Sequence, residues 1–175
     1  MAPEREVLTL EPMAEDPEVG RWLSAMEDAR RDTLHELEGV PDEAIDWRPD
    51  GAENSIGTLL YHVALVEADW LLTDIMGPDG AALWPGDLLP FDDRDAEHRL
   101  TRMEGETLEQ HLGRLRAVRS LFLEQMQPMS AQDFHRLRAR ERFDVSADWV
   151  LHHLLQHEAE HRAQIAALRD ARARL

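Results

Sequence analysis

Apolar residues recur at intervals of three and four along four separate stretches of this 175-residue chain, and no stretch of useful length alternates with period two. A chain patterned this way buries one stripe per helix, and four stripes of about twenty residues are satisfied by packing against one another. The first stretch starts at Asp16, a capping acid followed by Pro17 and Glu18, and carries Val19, Trp22, Leu23, Met26, Arg30, Thr33, Leu34 and Leu37 up to Gly39. After turn chemistry from Pro41 to Glu53, Asn54 and Ser55 offer a cap for a second helix. Its stripe is Ile56, Leu59, Leu60, Val63, Trp70 and Leu71, ending at Gly77 and Pro78. Thr107 and Gln110 form a capping-box pair ahead of Leu108, Leu112, Leu115, Phe122 and Met126, and Pro128 closes that third helix. Ser146 opens the fourth, which reaches about Arg172. The Arg-rich segment from Met129 to Val145 fits either a short helix or an irregular loop.

The expected fold is therefore all-α, a four-helix bundle. The connection from Gly77 to about Gly105, with Pro78, Pro85 and Pro90 and little periodicity, is long enough to cross the bundle. One such crossover between the second and third helices gives up-down-down-up order. No composition shift marks a boundary, so residues 1–175 read as one domain, with 1–15 as an N-terminal extension.

Charge and cysteine content narrow the function. Nineteen basic residues, all Arg, face 36 acidic ones, a net charge of −17. Such a chain repels phosphate backbones and anionic bilayers, so neither nucleic acid nor a membrane surface is an expected partner. Cysteine is absent, which removes disulfides, thiolate metal sites and a cysteine nucleophile. Without a secretory signal or a membrane-length apolar run, the expected location is cytoplasmic.

Nine histidines are present, and four fall between His152 and His161. At about 100° per residue, His161 lies roughly 40° from His157, His153 roughly −40° and Gln164 roughly −20°, while Val150 and Leu168 lie within about 20°. His157 and His161 thus sit mid-stripe, and His152 points to solvent. A single buried histidine needs only a hydrogen-bond partner. Burying several imidazoles side by side costs several kcal/mol unless something organises them. Positions i and i+4 are about 6 Å apart at Cβ, which two nitrogens can close around one divalent cation at about 2.1 Å each.

A third ligand has to come from another helix, and His62, near the edge of the second stripe, is the best placed. His35, His98, His111 and His135 are the competitors. His98 and His135 fall in segments where solvated surface is the default, His35 lies off its stripe, and His111 borders Leu108, Leu112 and Leu115 as a boundary residue. Glu67 falls near the centre of the second stripe, where a carboxylate needs a partner: a ligand histidine N–H, or an Arg from a neighbouring helix. Glu160 and Gln164 flank the histidine face. They either orient a ligand or the imidazoles, or form a boundary salt bridge and a core amide.

The string His157, Glu158, Ala159, Glu160, His161 matches the HExxH signature of zinc proteases. Those enzymes take a third ligand further along the chain, and no His or Glu follows His161. Proteolysis is not expected.

The run Asn54, Ser55, Ile56, Gly57, Thr58, Leu59, Leu60, Tyr61, His62, with Glu67 and Trp70, joined to His153, His157, Glu158, His161, Arg162, Gln164 and Ile165, resembles the DinB-like superfamily of small bundle metalloproteins. The likeness spans about residues 16 to 172, with Ala163 where the family usually has Gly. It implies a zinc or nickel ion held by His62, His157 and His161, and frequently a homodimer; His153 and Glu67, from their places on the helix faces, are the expected outer neighbours of that group. It also implies activity classes: transfer of low-molecular-weight thiols such as bacillithiol or mycothiol to electrophiles, or thiol-assisted isomerisation of maleylpyruvate. The family name's allusion to DNA damage implies no DNA contact.

A cation on three neutral imidazoles keeps an open position and lowers the pKa of a bound water or thiol. The expected function is thus metal-dependent transfer of a low-molecular-weight thiol, acting as cosubstrate, to a small electrophile, with the thiol-transferase branch the closest likeness. Hydrolysis by metal-bound water and a non-catalytic metal or small-ligand binding bundle are the alternatives. Trp84 and Phe91, in the long connection, are expected pocket walls.

Overall fold

The computed structural model describes residues 5 and 7–174; of the expected N-terminal extension, residues 1–4 and 6 lie outside the described residues. Helix α1 covers Pro17–Glu36, α2 Ile56–Asp69, α3 Leu108–Met126, α4 Ala131–Phe134 and α5 Ala147–Arg172. The Arg-rich segment resolves into the one-turn α4 and a two-strand antiparallel hairpin, β1 (Arg138–Ala139) and β2 (Asp144–Val145). The fourth helix expected from the sequence is α5. Among the described residues, no helix is long and apolar enough to cross a membrane.

Local chemistry sets the helix starts. Asp16 Oδ1 accepts from the Glu18 and Val19 amides, and Thr107 with Gln110 closes a reciprocal capping box. Ser55 accepts from Thr58 N, whereas Ser146 precedes α5 without a side-chain capping bond. Helix α2 does not end cleanly at Gly77. From Trp70 to Ile75 it widens into a π-helical turn, and Gly77–Leu83 continues as 3-10 helix.

Two apolar clusters fill the bundle. One holds the N-terminal half of α1 (Val19, Leu23, Met26), the π turn (Leu71, Leu72, Ile75), the end of α3 (Phe122, Met126) and the start of α5 (Val150, Leu151, Leu154). The other holds Leu37 after α1, most of α2, Leu115 and Val118 of α3, and Ile165 of α5. Helices α1 and α5 therefore run from the first cluster to the second, α2 and α3 the opposite way, which is up-down-down-up order. Twelve of the fourteen α2 residues are buried, so α2 is the central helix and has no solvated face.

Between the clusters lies a charge network with one member from each long helix. Arg119 forks onto Glu67 through Nε (2.7 Å) and Nη2 (2.8 Å), and Arg30 forks onto Glu158 through Nε (2.6 Å) and Nη2 (3.2 Å). The forks are cross-linked, since Arg30 Nη2 also reaches Glu67 (2.8 Å) and Arg119 Nη2 reaches Glu158 (3.2 Å). Remaining donors go to Leu115 O, Met26 O and Glu27. Burial alone would raise the Glu67 pKa, but Arg119 and Arg30 outweigh it and hold the carboxyl below its ordinary range. Removing one partner strands a buried charge, so Glu67→Gln is expected to lower unfolding free energy by about 3–5 kcal/mol in urea titrations.

His111 is fully buried, not a boundary residue. Its Nδ1 accepts from Arg114 Nη1 (3.0 Å), and Gly57 leaves the room its ring needs, because a Cβ there would stand 2.9 Å from Nε2. Burial, then the Arg114 charge, pushes its pKa down to about 4. An unfolded histidine titrates near 6.5, so its contribution is complete above that pH and is lost as pH falls toward 4. In wild type, unfolding free energy should drop steadily over that window, and His111→Gln should flatten the slope by about one proton's worth.

Candidate metal centre

His62 from α2 and His157 and His161 from α5 come together where the two helices face each other. His157 Nε2 lies 2.9 Å from His62 Nε2 and 3.1 Å from His161 Nε2. Candidate ligand atoms of all three lie within 4.8 Å of one another. His62 is buried and the other two are half-buried, so the group opens on one side.

The donor chemistry fits a divalent cation. Four ligands at about 2.0–2.1 Å in a tetrahedron stand about 3.3 Å apart, close to the spacing seen here. A ring nitrogen is either an N–H donor or a lone-pair acceptor. His62 Nδ1 is spent on Asp93 Oδ1 at 2.5 Å, which leaves neutral His62 with a bare Nε2 facing the other two rings. One proton on His157 is at best shared between two lone pairs, whereas a cation between the rings meets three. Burial, then the neighbouring His161 and His62, pushes the His157 pKa down to about 3; burial, then His62, lowers that of His161. At neutral pH these two rings are uncharged, the form that ligates. The Gln164 side chain, exposed at the mouth, favours the charged form of His161 but leaves its buried Nδ1 without a full hydrogen-bond partner.

Asp93 is the acceptor behind the ligand set, and sequence reasoning missed it. The His62 hydrogen bond is the main reason its pKa is low. Its position is set by Tyr61, whose hydroxyl donates to Phe91 O (2.8 Å) and accepts from Phe91 N (2.9 Å). Adjacent residues of α2 thus hold the crossover at two points. Arg114 adds a third, from Nε to Leu88 O (2.7 Å).

Other expected residues lie elsewhere. Glu67 does not touch a ligand histidine, because both its oxygens are engaged by Arg30 and Arg119. His153 makes no hydrogen bond to the group; its ring centroid is 6.0 Å from that of His157, and it stacks on Trp149. Glu158 points into the charge network, so it is not poised as the base of an HExxH protease. Glu160 is exposed. His35, His98 and His152 are exposed, and the half-exposed His135 pairs with Glu18 and Asp148.

The histidines line a cavity of about 820 Å³ whose other walls include Val66, Asp69, Trp70, Asp93 and Phe143. Trp84 and Phe91 are not among them; they line an adjoining depression that shares Leu65, Asp69 and Asp93 with it.

The DinB superfamily model matches residues 25–165, from the first helix to beyond the paired histidines. The chain belongs to the DinB superfamily. None of the curated proteins matches it. In this DinB chain, with three imidazoles converging on one point and a carboxylate behind the first, purified protein should carry a transition metal at one ion per chain by elemental mass spectrometry. His157→Ala should abolish it. Asp93→Asn, which keeps the ligands but weakens the acceptor, should lower metal affinity about 10–100-fold.

Proposed function

We propose that this protein holds a zinc or nickel ion on His62, His157 and His161 and transfers a low-molecular-weight thiol to a small electrophile. The supporting observation is the three-imidazole group, uncharged at His157 and His161 and opening onto a cavity of about 820 Å³, a volume typical of small-molecule sites. A divalent cation bound there supplies the Lewis acidity that favours thiolate over thiol at neutral pH.

The chain's own residues do the rest. Asp93 keeps the His62 proton on Nδ1, away from the cavity. The Tyr61 clamp on Phe91 keeps Asp93 in reach. With no cysteine in the chain, sulfur enters as a cosubstrate. For an alkylating electrophile the thiol proton passes to solvent, the sulfur lone pair forms the S–C bond, and the leaving group departs with the electrons of its broken bond.

Zinc- or nickel-loaded protein should accelerate conjugation of monobromobimane by at least one of cysteine, glutathione, bacillithiol and mycothiol, at least tenfold over the metal-free rate. His62→Ala should remove that gain. Metal-loaded protein that accelerates none of these thiols would contradict the assignment.

A further inference from the structure

Beside the histidines, the cavity wall is aromatic. Trp70 has its ring centroid 5.1 Å from His153, 5.4 Å from Trp149 and 6.0 Å from Phe143. Trp149 stacks on His153 at 5.3 Å with planes 10° apart, and His153 stands 6.0 Å from His157. A line of rings therefore leads from the surface to a ligand histidine. Trp70 and Phe143 are shared between the 820 Å³ cavity and a second depression of about 440 Å³, whose walls also include Leu137, Asp144, Val145 and Trp149. Phe143 is 47% exposed and Trp149 49%, so this is a large apolar surface open to solvent.

The backbone is held to present it. Trp70 opens the π turn, a departure from α-helical register that is frequent at functional sites. The carbonyls at its end are met from the hairpin: Arg138 Nε donates to Ile75 O (2.9 Å), and Arg140 bonds Asp74 O and pairs with the Asp74 carboxylate (3.3 Å). Those two arginines lock the hairpin that carries Phe143 onto the turn that carries Trp70. Asp69 borders the aromatic wall in the larger cavity and Asp144 in the smaller, and among the described residues neither is in a salt bridge and no basic side chain lines the smaller one. Asp74 is balanced by Arg140, and Arg94 and Arg99, which line the larger cavity from the crossover, are paired with Asp93 and Asp95.

We infer that Trp70, Phe143, Trp149 and His153 form the subsite for the flat aromatic part of the substrate, a group without negative charge, leaving the reacting end beside His157. Ring stacking supplies the attraction, and the carboxylate rim turns away aromatic anions. The assignment rests on the reading that the histidine cavity takes a small electrophile.

Full-length zinc-loaded protein should be titrated calorimetrically with 2-naphthalenemethanol and with 2-naphthalenesulfonate. The neutral ring is expected to bind at least tenfold more tightly than the anion. Trp149→Ala and, independently, Phe143→Ala should each weaken it at least tenfold, with zinc stoichiometry and helix content unchanged because both side chains are exposed. Equal binding of the two probes, or no effect of either substitution, would overturn the subsite. So would self-association that Trp149→Ala abolishes in a protein that binds neither probe. If zinc is not taken up while naphthalenemethanol still binds in a Trp149-dependent way, the metal assignment fails and the subsite stands.

Discussion

Four charged side chains in the middle of an otherwise apolar bundle fix how its helices are rotated. Arg30, Glu67, Arg119 and Glu158 come one from each long helix, and each carboxylate touches both guanidiniums. Buried ion pairs are a weak source of stability compared with apolar residues of the same volume, but a misplaced one is expensive. The network therefore acts as a key: only the rotation that brings all four together avoids an unpaired buried charge. Glu158 directly precedes the turn that carries His161 and directly follows His157, so fixing its direction into the core sends both histidines toward α2. The same constraint places His62, five residues before Glu67.

The second dependence runs through the crossover. The segment from Trp84 to Thr107, between the 3-10 turn and α3, has little regular structure, yet it supplies Asp93. It is pinned by the Tyr61 hydroxyl, by Arg114 at Leu88, and by Met103 N donating to Thr58 Oγ1. All three anchors come from helices, and two of them from the α2 segment that also carries His62. The ligand and its carboxylate support are thus positioned by one rigid element and the strand of chain tied to it.

Much of this is legible in the sequence wherever helical periodicity applies. The spacing of His157 and His161 puts them on one face, and the caps at Asp16, Ser55 and Thr107 mark helix starts correctly. What the sequence leaves open or does not signal depends on contacts periodicity does not encode. Glu67 stands centrally on its stripe, but whether it meets a histidine or an arginine depends on helix rotation, which Arg30 and Arg119 decide from other helices. Asp93 sits in aperiodic chain among other acids, with no local signal to single it out. His111 is buried because Gly57 lets α2 and α3 approach closely, a tertiary effect. The π turn at Trp70–Ile75 and the hairpin stabilise each other through Arg138 and Arg140, so neither is visible in its own segment.

These dependencies bring three imidazole nitrogens to one point able to bind a cation. X-ray absorption at the zinc or nickel edge of the loaded protein tests this most directly. The account predicts a first shell dominated by nitrogen or oxygen at about 2.0–2.1 Å, with outer-shell scattering from three imidazoles that falls to two in His62→Ala. A first shell without imidazole scattering, or a spectrum that His62→Ala leaves unchanged, would contradict it.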